Sequence, residues 1–336
     1  MSAAGAISPT WTAEFRAMNT GIEVHLSVPE LSQFRTLAFK VQNWFEVQER
    51  RFSRFIPTSE LCTLNASGGW VRVSAAMSEV LNLSLRFSRL SEGAFEPAVL
   101  PELERQGYDR TFEELENHPG GKTIGISGTC SGEPISSRKW LFDSKTRMFR
   151  RDTGTTLDLG GIVKSWCVQE ISNWLRTQPL VEAARVNAGG DLAVWNRHAP
   201  GNRWTIHIEH PFEQDKNIAS LELLNSTAAT SSRSKRRWIG PDGEQAHHII
   251  DPRTGKSAVG DIIQCTVLGS NLSKCEVISK SMCIFGETDG LAWLNRQSLT
   301  HTMIWVDKDC RIHYRGHEDQ LNQLSAKLKP DIMHYI

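Results

Sequence analysis

The 336-residue chain has no run approaching the roughly 20 apolar residues that a bilayer-spanning helix needs. Its first residues, Met-Ser-Ala-Ala-Gly-Ala-Ile-Ser-Pro-Thr, lack the basic stretch and apolar stretch of a secretory signal, and no lipobox-like Leu-x-x-Cys follows an apolar run. A cytoplasmic protein is therefore expected. Cysteine is sparse and unpaired: the seven, at 62, 130, 167, 265, 275, 283 and 310, are odd in number and form no Cys-x-x-Cys. That argues against a disulfide framework and a thiolate zinc site. No sign of charge dominates. The 38 basic and 38 acidic residues cancel to a formal +0, leaving no global field to draw nucleic acid or an anionic membrane. No Gly-x-Gly-x-x-Gly follows the first strand and no Walker-type Gly-Lys-Ser occurs, which argues against two common nucleotide-binding folds. Internal repeats, low-complexity tracts and a clear linker are also missing.

The apolar fraction of 39% can fill a sizeable core, and the eleven tryptophans can serve either packing or ring stacking. Residues 14–28 alternate as a first strand or hairpin. Residues 31–52 follow a helical period, with Phe34, Leu37, Ala38, Val41, Trp44, Phe45 and Gln48 on one face. Ser59-Glu60 opens a short helix, and Ser74 is placed to cap a helix over 75–92 that Gly93 ends. Residues 100–135 carry little periodicity. From Lys139 strands dominate: WLFD, RMFRR and TTLDL read as a small antiparallel set. A helix follows Gly160-Gly161, then strands ARVN, LAVW, RWTIHIEH, ASLELL and IIQCTVLGS. Helices are expected from Ser273 to about Phe285 and over 289–298, and TMIWV with RIHY closes as a hairpin. Hairpin-like pairs outnumber βαβ units. The fold class expected is α+β, with mixed, mostly antiparallel sheets and packed helices, in one domain over 13–336 behind a tail at 1–12.

Four glycine- or acid-bearing turns end apolar strands: Gly93-Ala94-Phe95-Glu96-Pro97, Asp158-Leu159-Gly160-Gly161-Ile162-Val163-Lys164, Asn187-Ala188-Gly189-Gly190-Asp191 and His248-Ile249-Ile250-Asp251-Pro252-Arg253-Thr254-Gly255. Paired glycines before a helix let backbone N–H groups approach an anion, and Lys164 in the first turn can reach the same anion. Taken singly, the Asp158–Lys164 and Asn187–Asp191 turns read better as ordinary junctions. His248 beside Asp251 has the composition of a base with an orienting carboxylate, although a lone His at a strand end is more often structural.

In this order and spacing the segments resemble the FAD:protein FMN transferase family, also called ApbE-like proteins. The resemblance runs from about Phe15 to about Gly286. It is carried by Met-Asn-Thr at 18–20, Phe-Ser-Arg-Phe-Ile-Pro, Ser59-Glu60, Leu64-Asn65, GAFEP, LDLGGIVK, VNAGGDL, ATSS, HHIIDPRTG and CEVISKSMCIFG. It implies an ApbE-like, T-fold-related architecture. It also implies an enzyme that cleaves FAD, joins FMN through a phosphoester to a Thr or Ser hydroxyl of an acceptor redox flavoprotein, and releases AMP. Carried over position by position, Met18, Phe55, Ala94, Phe95, Glu96, Asp158, Gly160, Lys164, Asn187, Gly189, Gly190 and Ile250 fall on flavin-nucleotide positions. Phe55 stands where Tyr or Trp is usual, and Glu96 where Asp is usual. His248 falls near the reacting phosphate as the first candidate base, with Asp251 the weaker one.

The family's Mg²⁺ site implies a backbone carbonyl at Gly161 and an Asp and a Thr at i and i+4 of a later helix. This chain has Glu276 and Lys280 at those positions. Hard oxygen ligands suit Mg²⁺, and an ammonium cannot be a ligand. Either Glu276 still helps hold a metal while Lys280 points elsewhere, or Lys280 supplies positive charge directly with Glu276 as its helix partner. The second is favoured, or else a weakened metal site. Two other outcomes stand beside transfer: an FAD pyrophosphatase giving free FMN and AMP, and a non-catalytic FAD-binding module.

Overall fold

The computed structural model describes residues 8–117, 135, 139–197, 203–318, 321 and 328–336. Cys130, most of the tail at 1–12 and residues 118–134 of the aperiodic stretch lie outside them. Numbered within the one large sheet, its strands are β1 (Thr10–Ala17), β2 (Thr20–Ser27), β3 (Ala183–Ala188), β4 (Asp191–Asn196), β5 (Ser226–Ser232), β6 (Ile262–Gly269), β7 (Thr302–Asp307), β8 (Ile312–Gly316) and β9 (Ile332–Tyr335). They lie side by side in that same order. Each neighbouring pair is antiparallel except the last, in which β9 runs parallel to β8. The α+β class read from the sequence is the one observed.

Helix α1 (Leu31–Phe52) buries the apolar face its period announced, including Phe34, Leu37, Val41, Phe45 and Gln48. Ser59 and Ser74 accept the amides of Cys62 and Met77, starting α2 (Glu60–Ala66) and α3 (Ala75–Leu90) as serine caps should. Two short helices, α4 (Leu100–Arg105) and α5 (Phe112–Asn117), follow. Helix α6 (Val163–Thr177) and helix α7 (Leu272–Arg296) pack with α1 on one face of the sheet. The largest apolar cluster fills that interface, with Val24, Phe45, Trp166, Val186, Val267 and Trp293 among its buried members. Each such side chain contributes on the order of 1.5–3 kcal/mol by leaving water. A separate hairpin, Trp204–Glu209 with Asn217–Leu223, covers the opposite face. There Ile206 and Leu221 meet Val194, Ala228, Ile304 and Tyr314. Strand β4 is consequently buried on both sides.

The structure corrects three element readings. Thr155–Leu159 is not a strand. Both backbone groups of Leu157 are taken by the Asn65 side chain, at 2.8 and 2.9 Å, and the Asp158 amide donates to the Pro97 carbonyl, so no ladder is left to form. The third strand of the small sheet is instead Val71–Arg72, which pairs with Met148–Arg151. The helices expected at 273–285 and 289–298 abut as α7, which Asn271 caps rather than Ser273. Gly286 interrupts it at φ 78° and ψ −177°, a conformation open to glycine alone. The six described cysteines are free thiols. Among the described residues no helix is long and apolar enough to cross a membrane.

Candidate functional site

All four sequence-marked turns open onto one cavity of about 1320 Å³ between the sheet, α1, α6 and α7. Its wall includes Met18, Phe55, Ala94, Phe95, Glu96, Asp158, Gly160, Gly161, Lys164, Asn187, Gly189, Gly190, His248, Ile250, Glu276 and Lys280. Residues from position 18 to position 280 are thus assembled at one place. The volume exceeds the roughly 300–1,000 Å³ of a drug-sized pocket.

Local chemistry explains how each turn is held. Met18 and Asn19 both take left-handed backbone between β1 and β2, as a two-residue hairpin turn demands, and the Met18 amide donates to Glu49 at 2.9 Å. That turn presses on Gly189, where an added Cβ would collide with the Thr20 hydroxyl. Asn187 accepts the Gly190 amide at 3.2 Å, closing the turn between β3 and β4. The Glu96 carboxylate takes the amide of Ala98 and the hydroxyl of Ser88, fixing the chain after Phe95. Asp158 accepts the Gly160 amide at 2.8 Å and pairs with Arg54 at 2.8 Å. No side chain caps α6, and its first residues, Val163 and Lys164, line the cavity, so the positive end of its dipole faces an anion's natural position.

Among the cations around the wall are Arg54, Lys164, Arg236 and Lys280. Lys164 is paired with buried Asp191 at 2.9 Å. Burial works against its charge, but Asp191 and Glu276 outweigh burial and hold the ammonium above its ordinary range. Burial pushes Asp191 up to about 6, with Lys164 restraining it. Both therefore stay charged at neutral pH. His248 is half-buried, and its Nδ1 has no protein partner. Burial, then Arg236, Lys280, His247 and Lys164, push its pKa well below the ordinary 6.5. At neutral pH it is an uncharged imidazole with a free ring nitrogen, as a base must be.

Asp251 does not join it. The carboxylate is gripped by Arg253 at 2.9–3.2 Å and by the Arg253 amide at 2.9 Å, and it does not line the cavity. The His248–Asp251 pairing suggested by their spacing is not formed, because Asp251 closes its own turn; it orients nothing at the site and has no access as a base.

Lys280 takes Glu276 as its helix partner. Its Nζ lies 3.2 Å from Glu276 and donates to the Gly161 carbonyl at 3.3 Å. The carbonyl and carboxylate that would serve a Mg²⁺ ion are already bridged by an ammonium. The residues present do not fit a metal at this point.

Sequence reasoning missed Arg54, Ser231 and Arg236. Arg54 lies over the rings of Phe55 and Tyr108, at 4.2 and 4.5 Å, and its Nη2 is buried without a partner. The Ser231 hydroxyl on β5 is likewise buried and unpartnered in the cavity wall. Such orphaned polar atoms ask for a polar ligand. Their only cue was membership in the FSRFIP and ATSS segments. Arg236 donates to the Asn19 carbonyl at 3.0 Å from a basic run that carried no motif.

A sequence profile described as the ApbE family matches residues 18–304. A FAD:protein FMN transferase of Vibrio cholerae is 24% identical over 293 residues, covering 83% of this chain and 82% of that protein. One from Klebsiella pneumoniae is 22% identical over 310 residues, covering 90% and 87%. Among solved structures, the ApbE protein of Thermotoga maritima superimposes with a TM-score of 0.76 at 22% identity, over 93% of this chain and 99% of that one. The flavin transferase ApbE from Vibrio cholerae gives 0.69 at 21% identity, over 96% and 98%.

Proposed function

The chain belongs to the ApbE family, and from that premise we propose that it is an FAD:protein FMN transferase acting on a Thr or Ser hydroxyl of an acceptor flavoprotein. The observation that carries the reading is the convergence on one cavity of the Gly160-Gly161 turn, Lys164, Lys280 and an uncharged His248 with a free ring nitrogen. The cavity fits FAD as substrate: it has dinucleotide volume, an uncapped helix start for phosphate, and the unpartnered Arg54 and Ser231 atoms for polar contacts.

In the transfer, an acceptor oxygen bonds to the FMN-side phosphorus as the bond from that phosphorus to the AMP oxygen breaks. The hydroxyl proton passes to the free nitrogen of His248, and AMP leaves. An alcohol is a poor nucleophile against an anion, so a nearby base helps. Lys164, Lys280 and the start of α6 offset the charge that repels it and that gathers on the leaving group. Phe55, with Arg54 stacked on it, offers a π-face to a flat ring. Lys280 supplies in this chain the positive charge that Mg²⁺ is expected to supply in its relatives, and no step here needs the metal.

The test is to incubate the protein with FAD and a candidate acceptor domain and to weigh the acceptor. One covalently added FMN with equimolar AMP is the expected result. Free FMN and AMP with an unchanged acceptor would make it a pyrophosphatase, and intact bound FAD a carrier. Transfer should persist after thorough chelation. Complete loss restored by Mg²⁺ would overturn the role given to Lys280.

A further inference from the structure

Beyond the cavity, on the far side of the Gly286 break, three side chains from distant parts of the chain meet. Glu287 resumes α7, His313 lies on β8 and His334 on β9. His313 Nδ1 is 3.3 Å from a Glu287 oxygen and 3.5 Å from His334 Nε2, and His334 Nε2 is 3.6 Å from the other Glu287 oxygen. None of the three belongs to the cavity wall.

We propose that Glu287, His313 and His334 form a binding site for a first-row divalent transition metal of the zinc class, which ties the last strand of the sheet to α7. Ligand atoms 2.0–2.2 Å from a tetrahedral metal stand about 3.4 Å apart, which is the size of this triangle. The geometry offers a cation three ligand atoms there. His313 Nε2 lies 3.0 Å from the Asp307 carboxylate and donates to it, so Nδ1 of the neutral ring presents a lone pair. That lone pair faces a carboxylate and a second imidazole nitrogen. In the tautomer of His334 that leaves Nε2 unprotonated, three lone pairs converge on one point, and a cation between them takes the place of a proton.

The surroundings orient the ligands as metal sites do. Asp307 completes a carboxylate–histidine arrangement and is itself held by Arg311 and by the amides of residues 309 and 311. Trp305 stacks on both imidazoles, with centroids 5.0 and 5.1 Å away, and its indole N–H donates to Glu287 at 3.4 Å. The Glu287 amide donates to Asp261 at 2.9 Å. His313 is 2% exposed, while Glu287 and His334 are 24% and 26% exposed, so the centre is rigid on one side and reachable from water on the other. Two imidazoles and one carboxylate suit Zn²⁺, Co²⁺ or Ni²⁺ better than Mg²⁺ or Ca²⁺, and leave a fourth position for water.

The experiment is competition of chelator-treated full-length protein against a zinc indicator, with Co²⁺ absorption as an optical check. One Zn²⁺ per chain is expected, with the tetrahedral Co²⁺ band and a raised melting temperature. Glu287→Gln and His334→Gln should each weaken binding at least tenfold while leaving FMN transfer unchanged. Both residues are partly exposed, so the variants keep the test open if a His313 variant fails to fold. No Zn²⁺ bound at micromolar concentration, or binding that both variants leave unchanged, would overturn the site.

Discussion

Lys164 and His248 divide the chemistry between charge and proton. Electrostatic stabilisation is usually the larger share, so Lys164→Ala is expected to lower kcat by about a thousandfold and His248→Gln by about a hundredfold, both read as acceptor mass gained per minute. Equal rates for Lys164→Ala and the parent would remove the phosphate cradle from the account. The pH profile follows from the same residues. A base works only when unprotonated, and His248 is pushed well below 6.5, so activity should hold level through the range where an ordinary histidine titrates. Going down in pH, Asp191 takes a proton near 6, and Lys164 then loses its partner. The kcat/KM for FAD should turn down there. A break at 6.5 that survives Asp191→Asn and vanishes in His248→Gln would contradict this order. Lys280 gives a gain-of-dependence test: the double change Glu276→Asp with Lys280→Thr removes the ammonium and restores oxygen donors, and transfer should then require Mg²⁺ and fail in chelator. Most of these residues were legible because motif glycines and charges sit at fixed spacing. The failed pairing of His248 with Asp251 was not, since proximity in sequence says nothing of Arg253 reaching back to take the carboxylate.

Periodicity served the long elements and failed the short ones. Helix α1 was readable from end to end, because six turns of apolar spacing leave no alternative. Val71–Arg72 could not be read, since a two-residue strand has no period. Thr155–Leu159 alternates as a strand would, yet Asn65, about ninety residues away, satisfies Leu157 instead. At Gly286 the sequence announced a helix end, and the non-helical backbone there divides α7 at that residue. Gly286→Ala should cost about 1–3 kcal/mol in unfolding free energy, because the residue must hold a glycine-only conformation and its Cβ would come within 2.7 Å of Asp261. Chemical denaturation measures this directly. An unchanged midpoint and slope would mean that the break relaxes freely.

For the molecule as a whole, the α+β class was visible in the balance of hairpins and helices, and the family in the order of its motifs. The arrangement of nine strands in chain order was not, because nothing in the sequence of Ser27 declares that Ala183 will lie beside it. Binding at the cavity should stabilise the entire fold. With FAD a hundredfold above its dissociation constant, about 2.7 kcal/mol is expected, seen as a higher melting temperature. A folded sample whose melting FAD leaves unmoved, at any ionic strength, would remove the substrate from the account. A neutral net charge predicts that acceptor recognition is local to the cavity mouth, with only weak dependence of the association rate on salt.

The wall of the cavity draws on Met18 at one extreme of the chain and Lys280 near the other. During synthesis, the first hairpin must wait for some 155 residues before its neighbour in the sheet emerges, and the last cation arrives when most of the polypeptide is complete. A chain that stops short of Lys280 therefore lacks part of the cavity wall. The phosphate-facing charge is thus completed late in synthesis, after some 280 residues have been made.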